Sequence, residues 1–463
     1  MAGPSQTVVI VGGGLSGLVC ALQVRKLCPQ VRLQVVERSL RRGPGLAYGE
    51  FAAGHVLNVP ARRLDIGSDL SFHDWLAANV SRHDLDEALA EAGGRIEDTF
   101  APRAAFGDFL EETARRASAN GVFEWIRGEA VAFLPAPRRG VVLADGGELE
   151  AAGVILATGN ESPGPIGIPT LEDAPQFIAN PWAGGALDRV ARDEPVVIVG
   201  SGLTAVDVTL SLHRAGHAAG VTLVSRRGLL PRKHRLCPPA APFIPVEDRK
   251  SPATLMTLVR QHAARAIESG APWQGVIDAM RPVTRDIWLG WPLRHRQSFL
   301  RHMRAWWDVY RHRMAPRVAD HVERLRADGY LQLIAGRIAN ARETDDSLEM
   351  EVGRLGGKAV HLRARHVINC TGPTTDVAVR SSPIIADGLS RGFVRRDKMG
   401  LGIDTNACAA VASDNVASDW LFAIGPLTRP EFWEVTAVPE ILAQGRALAE
   451  RLSAADATRG YGI

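Results

Sequence analysis

Two segments of the chain share one pattern of apolar and small residues. Each begins with four apolar residues, continues through a glycine-rich turn into a helical pattern, and ends in a second apolar run, VRLQVVE or VTLVSRR. Short strands that alternate with helices are typical of parallel α/β domains. We therefore predict that residues 7–40 and 195–227 each begin such a domain with a βαβ unit.

The segment between these units has a different periodicity. In VFEWIRGEAVAFLP and GVVLADGGELEAAGVILATG, apolar residues recur at every second position, and Gly146 and Gly147 mark a turn, as in antiparallel strands. The segment ends in VILATGN (154–160), and a near copy, HVINCTGP, lies at 366–373. Each copy is expected where the chain leaves or re-enters a domain, with ESPGPIGIP (161–169) as a linker.

Residues 238–325 interrupt the alternation and predict a helical insertion. Apolar side chains fall on one helical face by steps of three and four, and three arginines fall on the other. The apolar face comprises Phe299, Met303, Trp306, Trp307, Tyr310 and Met314, and the basic face comprises Arg301, Arg304 and Arg311. Two interpretations stay open, namely a packed helix with a solvated basic face and a lid that presents these side chains to an anionic or planar substrate.

Strand patterns return at 331–370 and 419–425, and a final helix is expected to begin near Pro439, because proline suits a first helical position. This order predicts that the second domain is inserted into the first. The first would comprise residues 1–165 and 366–463, and the second residues 190–365, including the insertion. The predicted fold class is α/β, with two Rossmann-like dinucleotide-binding domains.

The two glycine-rich turns have the spacing of dinucleotide sites. Their small residues are Gly12, Gly14 and Gly17 in VVIVGGGLSG, and Gly200, Gly202 and Ala205 in VVIVGSGLTA. The first glycine permits the strand-to-helix turn, the second lets a pyrophosphate approach the backbone, and the third position must be small for packing. The amino end of the following helix then binds the phosphates.

The residue that ends the second strand differs between the two units. Glu37 follows Gly12 by 25 positions, whereas Ser225 follows Gly200 by 25 positions and precedes Arg226 and Arg227. A carboxylate binds a ribose diol and repels a 2′-phosphate, while arginine pairs with a 2′-phosphate. The sequence therefore predicts two different dinucleotides.

Composition excludes several classes. The chain has 463 residues, 46% of them hydrophobic, and a net charge of +3, which is too small to imply nucleic acid. Its five cysteines show neither the C-x-x-C pair of many disulfide reductases nor metal-ligand spacing, and they favour a reducing compartment. The first strand begins by Thr7, and the apolar stretch 8–22 carries four glycines. We expect no signal peptide, no membrane span and a cytoplasmic protein, and the sequence predicts no oligomeric state.

Several further motifs resemble a known family. They are GPGLAYG (43–49), HVLNVPA (55–61), FAPRAAFGDFL (100–110), ATGN (157–160), SRRG (225–228) and GPLTRPEFWEVTAVPEI (425–441). With the paired turns, they resemble two-dinucleotide flavoproteins, and more closely a bacterial FAD/NAD(P)-binding family that includes a urate hydroxylase and an aspartate N-monooxygenase. The motifs span nearly the whole chain and are less specific for a substrate than for the family.

The resemblance implies FAD at the first turn and NADPH, or NADH, at the second. The residues implied around FAD are Gly12, Gly13, Gly14, Leu15, Ser16, Gly17, Glu37, Arg38, Ala47, Tyr48, Asn58, Thr158, Gly159, Gly425, Trp433 and Glu434. Those implied around the nicotinamide nucleotide are Gly200, Ser201, Gly202, Leu203, Thr204, Ala205, Ser225, Arg226 and Arg227.

Two positions qualify this resemblance. Asn58 corresponds to a segment near the flavin ring in monooxygenases, and it is the candidate catalytic residue; the alternative is a turn residue before Pro60. Many relatives place an aspartate after the glycine of the C-terminal strand, where it holds the ribityl chain of the flavin. Pro426 stands there, so that contact would come from elsewhere, such as backbone amides near Trp433 and Glu434.

The combination predicts an NADPH-dependent FAD monooxygenase that acts on oxygen and a small, polar, nitrogen-rich substrate. Urate is the first candidate, with Trp291 for stacking and Arg294 and Arg296 for pairing, and N-hydroxylation of an amino acid such as aspartate is the second. Two other classes stay open: a reductase that passes electrons to a protein partner, and a flavin-binding redox sensor.

The histidines and a basic segment need separate interpretations. His295, His302 and His312 lack carboxylates at metal-ligand spacing, and we predict no metal. The segment PRKH, which ends at His234, is either a solvated charge run or a contact to NADPH phosphates.

Overall fold

The computed structural model describes residues 7–49, 54–354 and 357–459. The chain forms two compact units, Met1–Glu161 with Thr374–Ile463, and Ser162–Pro373. No helix among the described residues is long and apolar enough to cross a membrane.

The elements follow in chain order. Up to residue 161 they are β1 (Thr7–Val11), α1 (Leu15–Leu27), β2 (Arg32–Glu37), α2 (Gly45–Tyr48), α3 (Phe72–Ala78), α4 (Asp86–Glu91), α5 (Arg103–Ala119), β3 (Glu124–Arg127), β4 (Ala130–Phe133), β5 (Gly140–Leu143), β6 (Glu148–Glu150) and β7 (Gly153–Leu156). Short 3₁₀ turns cover Ala61–Arg63, Val80–Arg82 and Ile96–Asp98.

From 162 to 373 they are α6 (Pro169–Glu172), β8 (Phe177–Ile178), β9 (Val196–Val199), α7 (Leu203–Arg214), β10 (Val221–Ser225), α8 (Pro252–Glu268), α9 (Gln274–Asp278), α10 (Thr284–Gly290), α11 (Leu293–His302), α12 (Arg304–Arg311), α13 (Pro316–Ala327), β11 (Leu331–Ala335), β12 (Arg337–Glu343), β13 (Leu348–Gly353), β14 (Val360–Ala364) and β15 (His366–Asn369). The rest are α14 (Pro383–Ser390), β16 (Thr405–Asn406), β17 (Ala409–Val411), β18 (Ala417–Ala423) and α15 (Val438–Arg459). Further 3₁₀ turns cover Val246–Lys250, Arg281–Val283 and Pro426–Thr428.

The first unit is built on a seven-stranded sheet in the order β16-β17-β18-β7-β1-β2-β3. Strands β18, β7, β1, β2 and β3 are parallel, and β16–β18 form an antiparallel edge. Side chains alternate across β1, so Val8 and Ile10 pack with α1, whereas Val9 and Val11 pack with the antiparallel sheet β4-β5-β6. The apolar run that opened the sequence pattern is thus a strand buried on both faces.

The second unit repeats this plan. Its parallel sheet has the order β11-β10-β9-β15-β8, in which β11-β10-β9-β15 corresponds to β3-β2-β1-β7, and its antiparallel sheet β12-β13-β14 corresponds to β4-β5-β6. Both units also place a group of helices between corresponding strands: α2–α5 lie between β2 and β3, and α8–α13 lie between β10 and β11. The helical segment predicted as an insertion therefore occupies a position that also carries helices in the first unit.

Two features differ from the sequence expectations. HVINCTGP was expected to begin the return into the first domain at residue 366, but β15 pairs with β9 along His366–Asn369 and therefore belongs to the second sheet. The return follows Pro373 instead. The helix expected through residues 299–314 is also interrupted, because Met303 separates α11 from α12.

Candidate dinucleotide-binding sites

The first glycine-rich turn is packed tightly enough to require glycine. Gly12 has a φ of +104°, and a Cβ atom there would lie 2.3 Å from the carbonyl oxygen of Ala157. A Cβ at Gly17 would lie 1.9 Å from the carbonyl oxygen of Gly12. Because Gly12 and Gly17 have no side chains, α1 can pack closely against β1. The amino end of α1 then faces the space above the turn.

Glu37 holds this turn from the end of β2. Its Oε2 accepts a hydrogen bond from the backbone N–H of Gly13 at 2.7 Å, and its Oε1 accepts one from Ser39 at 2.8 Å. A carboxylate offers about four lone-pair sites, so two backbone bonds leave acceptor capacity for a ribose diol. The carboxylate therefore both shapes the turn and stays able to bind a sugar.

Three other residues predicted around FAD have mixed surroundings. Arg38 forms an ion pair with Glu129 at 3.0 Å, and its side chain is 73% exposed. Ala47 and Tyr48 lie on α2, where the Tyr48 ring packs edge-on against Phe106 with 4.9 Å between ring centroids. The side chains of Arg38 and Tyr48 thus have structural partners within the protein.

Asn58 lies in a segment that pairs with the chain before α5. Leu57 donates to the carbonyl oxygen of Ala101 at 2.9 Å, and Arg103 donates to that of His55 at 2.7 Å. These backbone bonds shape the segment, whereas the half-buried side-chain amide of Asn58 makes no hydrogen bond to a described residue. The turn does not use the Asn58 amide. The two N–H donors and the oxygen acceptor of this amide can therefore serve a ligand.

The C-terminal segment approaches the start of α1. Gly425 has a φ of +80°, and a Cβ there would lie 2.5 Å from the hydroxyl oxygen of buried Ser16. The Gly425 N–H donates to Gln444 on α15 at 2.8 Å, and Gln444 donates to Thr428 at 2.7 Å. Pro426 begins the 3₁₀ turn over this network.

The remaining predicted residues of the first unit follow strands or lie in this C-terminal segment. Thr158 and Gly159 are half-buried and follow β7 with only Ala157 between, and Gly159 has a φ of +75°. Trp433 is buried, and the guanidinium of Arg429 lies 5.8 Å from its ring centroid. Glu434 is half-buried beside it in sequence.

The second turn has nearly the same backbone geometry as the first. Gly200 has a φ of +117°, and a Cβ there would lie 2.3 Å from the carbonyl oxygen of Cys370. Gly202 precedes α7 with φ −80° and ψ −169°, and Gly14 precedes α1 with φ −75° and ψ −168°. Leu203, Thr204 and buried Ala205 form the first turn of α7. The sequence repeat is therefore also a conformational repeat.

A serine pair replaces the carboxylate at this turn. The Ser201 hydroxyl lies 2.7 Å from the Ser225 hydroxyl and donates to the carbonyl oxygen of Leu229 at 2.6 Å. Each unit thus ties its glycine-rich turn to the last residue of its second strand, with Glu37 in one and Ser225 in the other. Ser225 carries no charge that would repel a 2′-phosphate.

Arginines surround the end of β10. Burial and the charges of Arg337, Arg304 and Arg227 lower the pKa of the Arg226 guanidinium, which Asp308 partly offsets. Arg227 donates to the carbonyl oxygen of His302 at 3.2 Å. Arg337 is a residue that the sequence alone did not connect with this site, since no fixed spacing relates it to Arg226.

The helical segment departs from a simple two-faced helix. Arg311, predicted on the basic face, is the last residue of α12 and is buried, with 6% of its surface exposed. Arg313 is also buried and forms an ion pair with Asp278 at 2.5 Å. The break at Met303 rotates α12 relative to the register of α11, so one helical wheel could not describe both.

Two of the three residues predicted to bind urate have structural partners within the protein. Trp291 is buried, and its Nε1 donates to the carbonyl oxygen of Arg249 at 2.7 Å. Arg296 donates to the carbonyl oxygens of Trp291 at 3.0 Å and Leu289 at 2.9 Å, at the carboxyl end of α10. Arg294 is exposed on α11.

The PRKH segment is only partly a solvated charge run, since Arg232 and Lys233 are exposed whereas His234 is not. His234 is buried, and its N–H donates to the carbonyl oxygen of Met314 at 2.8 Å. Lys233 forms an ion pair with Asp320 at 2.5 Å. Within residues 7–49, 54–354 and 357–459, no three His, Cys, Asp or Glu side chains are grouped as metal ligands would be.

Comparison with known proteins supports the same interpretation of the first turn. Residues 9–161, about a third of the chain, match a protein-family profile described as FAD-NAD(P)-binding. No curated protein matches the chain in sequence. The match supports the predicted FAD and NAD(P)H cofactors and the prediction of an oxidoreductase.

Solved structures resemble the chain over nearly its whole length. An ornithine N-hydroxylase from Kutzneria sp. 744 has a TM-score of 0.65 at 15% identity, covering 98% of this chain and 100% of its own. L-lysine 6-monooxygenase from Pseudomonas syringae has a TM-score of 0.64 at 14% identity, covering 97% and 99%. Bacillithiol disulfide reductase from Bacillus cereus has a TM-score of 0.56 at 14% identity, also covering 97% and 99%.

The predicted fold class is therefore confirmed. The chain has the fold of flavoproteins with two dinucleotide-binding domains, and at these identities the similarity concerns the fold alone.

Proposed function

We propose that this protein is an FAD-dependent, NADPH-oxidising monooxygenase that hydroxylates a nitrogen atom of a small amine substrate. The observation that carries the proposal is the pair of matching turns. The strand that follows the first turn ends in a carboxylate, and the strand that follows the second turn ends beside arginines. A carboxylate at one turn and arginines at the other suit two different dinucleotides in one chain. The similarity in fold to ornithine and lysine hydroxylases supports the choice of reaction.

The residues of the first turn fit FAD. Close packing at Gly12 and Gly17 keeps the amino end of α1 open to a pyrophosphate, and Glu37 retains acceptor capacity for the ribose. When bound, FAD accepts a hydride from NADPH and supplies the electrons that activate oxygen. The protein has to bind, orient and shield the reacting groups.

Asn58 is the proposed catalytic residue. The backbone pairing of residues 55–57 with 101–103 shapes the main chain around Asn58, and the side-chain amide makes no hydrogen bond to a described residue. An amide donor close to developing negative charge can stabilise that charge. We propose that Asn58 donates to oxygen-derived negative charge beside the flavin.

An amine is favoured over urate as the substrate. The urate hypothesis rested on stacking by Trp291 and pairing by Arg294 and Arg296; Trp291 and Arg296 hold neighbouring backbone in the structure, and Arg294 is exposed. Ornithine and lysine are the substrates that the names of two similar structures give for those proteins. Aspartate and urate stay as alternatives in the test below.

The test is a coupling assay with the FAD-loaded protein. NADPH consumption, hydrogen peroxide and hydroxylated product are measured in parallel with L-ornithine, L-lysine, L-aspartate and urate, under isotopically labelled oxygen. We expect one amine to accelerate NADPH consumption and to gain one labelled oxygen atom. Labelled product from urate alone would overturn N-hydroxylation and keep the monooxygenase class.

Failure of all four substrates would direct attention to electron transfer. If NADPH oxidation yields only peroxide with each of them but an acidic redox protein is reduced rapidly, the monooxygenase proposal is wrong and the reductase alternative holds. Reduction through a protein dithiol has little support, since burial raises the pKa of the Cys20 and Cys370 thiols and makes them poor nucleophiles. A cytoplasmic location stays a prediction.

A further inference from the structure

Two arginines leave the same edge of the second parallel sheet. Strands β10 and β11 are parallel neighbours with Ser225 opposite Ala335, and the N–H of Gly336 donates to the carbonyl oxygen of Ser225 at 2.9 Å. Arg226 and Arg337 are the next residues beyond this contact. Because both strands end at the same edge, their side chains emerge side by side.

The helical segment brings a third arginine to this edge. The Arg227 guanidinium donates to the carbonyl oxygen of His302 at 3.2 Å, which holds the turn after β10 against the end of α11. Arg304 begins α12 two residues later and lies 3.5 Å from Asp308 on the same helix. The junction of α11 and α12 thus faces the end of β10.

The resulting cluster has an excess of positive charge. Partial burial is the largest cause of the lowered pKa of Arg226; the charges of Arg337, Arg304 and Arg227 lower that pKa further, and Asp308 opposes them. Mutual repulsion of this kind is relieved when an anion binds, and arginine is the side chain best suited to pair with phosphate. Three of these residues, Arg226, Arg227 and Arg337, are exposed, so an anion from solution can reach the cluster at the end of the second strand.

The position in the fold identifies which phosphate. The pyrophosphate of a dinucleotide meets the turn after the first strand, here Gly200–Gly202, whereas the adenosine ribose lies at the end of the second strand, here Ser225. We propose that Arg226, Arg304 and Arg337 together bind the 2′-phosphate of NADPH, and that Arg227 is a positioning residue that fastens the turn to the helical segment. This inference rests on the proposed function and adds Arg304 and Arg337 to it.

The inference makes the helical segment part of nucleotide selection. Arg304 belongs to α12 and Arg337 to β12, so the pocket is complete only when β10, the helices and the second antiparallel sheet are folded together. NADH lacks the 2′-phosphate and would leave the three guanidinium groups repelling one another. A preference for NADPH over NADH is expected, and Arg304 and Arg337 account for part of it.

The test measures nucleotide binding by titration calorimetry on the FAD-loaded full chain. Adenosine 2′,5′-bisphosphate and AMP are the two probes, because they differ in the 2′-phosphate alone. We expect Arg304→Gln and Arg337→Gln each to weaken the bisphosphate about tenfold and to leave AMP within about twofold, as expected for loss of one charge-assisted contact. Arg324→Gln, which changes an exposed arginine on α13, serves as the matched control and should alter neither probe.

Two outcomes would overturn the pocket. Equal affinity of the wild-type protein for the two probes would do so, and so would unchanged bisphosphate affinity in both variants. Arg304→Lys and thermal melting guard against a folding defect, since the lysine variant retains the charge and should lose less affinity than Arg304→Gln. Because neither probe requires hydride transfer or a substrate, selective bisphosphate binding without hydroxylated product would reject the proposed function and leave the pocket standing.

Discussion

Glu37→Gln separates the role of the carboxylate from the shape of the side chain. In the structure the two carboxylate oxygens accept from Gly13 at 2.7 Å and from Ser39 at 2.8 Å. Glutamine has one acceptor oxygen, so it can keep one of these bonds and turns its amide group toward the other N–H. It also replaces a charged acceptor for the ribose diol by a neutral one.

The expected loss follows from these bonds. A hydrogen bond to a charged acceptor contributes about 1.5–3 kcal/mol, and a neutral one about 0.5–1.5 kcal/mol. The backbone bonds exist before FAD binds, so their loss weakens mainly the preorganised turn, while the ribose bonds affect FAD affinity directly. We predict that Glu37→Gln weakens FAD binding by about 2 kcal/mol, or about thirtyfold in Kd.

The assay is titration of the apoprotein with FAD, followed by flavin fluorescence. Glu124→Gln is the control. Glu124 lies on the neighbouring strand β3, forms an ion pair with Arg32 at 2.7 Å and is not part of the turn. FAD affinity in that variant should stay within about twofold of wild type. An unchanged FAD Kd in a folded Glu37→Gln protein would refute the assignment of Glu37 to the ribose.

Four further changes test other parts of the account. A Cβ at Gly202 meets no atom within 4 Å, so Gly202→Ala should leave stability unchanged but weaken NADPH binding more than about tenfold, through contact with the pyrophosphate. Asn58→Ala should keep FAD bound while peroxide replaces hydroxylated product. Asp278→Ala should lower the free energy of unfolding by about 3–5 kcal/mol, since it removes the carboxylate from buried Arg313. Burial lowers the pKa of His83, so stability should fall as pH drops below about 6.5, and less so in His83→Gln.

The following outcomes and controls test these predictions. Undiminished NADPH binding in Gly202→Ala would place the pyrophosphate elsewhere, and full coupling in Asn58→Ala would remove Asn58 from the reaction. For Asp278 the control is Arg342→Ala at an exposed ion pair with Glu349, expected to cost less than about 1 kcal/mol in urea unfolding. Stability falls at low pH because His83 binds a proton more readily in the unfolded chain than in the folded protein. Equal slopes of the unfolding free energy against pH in wild type and His83→Gln would contradict this prediction.

The two turns and the fold class could be predicted because their signals are local. Backbone conformation at Gly12 and Gly200, packing at Gly17 and the residue that ends the second strand all lie within about thirty positions of one another, so spacing alone carries the information. Strand and helix patterns along the chain also predict that the second domain is inserted into the first. β15 was placed in the wrong sheet because its pattern copies that of β7 and pairing partners cannot be inferred from a strand by itself.

The features that escaped prediction depend on distant parts of the chain. Arg304 and Arg337 reach Arg226 only through the pairing of β10 with β11 and the contact of Arg227 with His302. Arg311 has the composition of a surface residue, yet it is buried. Periodicity predicts which residues share a face of one helix, but it contains no information about a break such as the one at Met303.

The central claim is that the two turns serve one reaction, with NADPH at the second reducing FAD at the first. The most direct measurement is anaerobic mixing of the FAD-loaded protein with NADPH or NADH in a stopped-flow spectrometer. The account predicts that NADPH bleaches the visible flavin absorbance rapidly, that NADH does so more slowly, and that Gly202→Ala impairs bleaching by NADPH. A flavin that stays oxidised in the presence of saturating NADPH would contradict it.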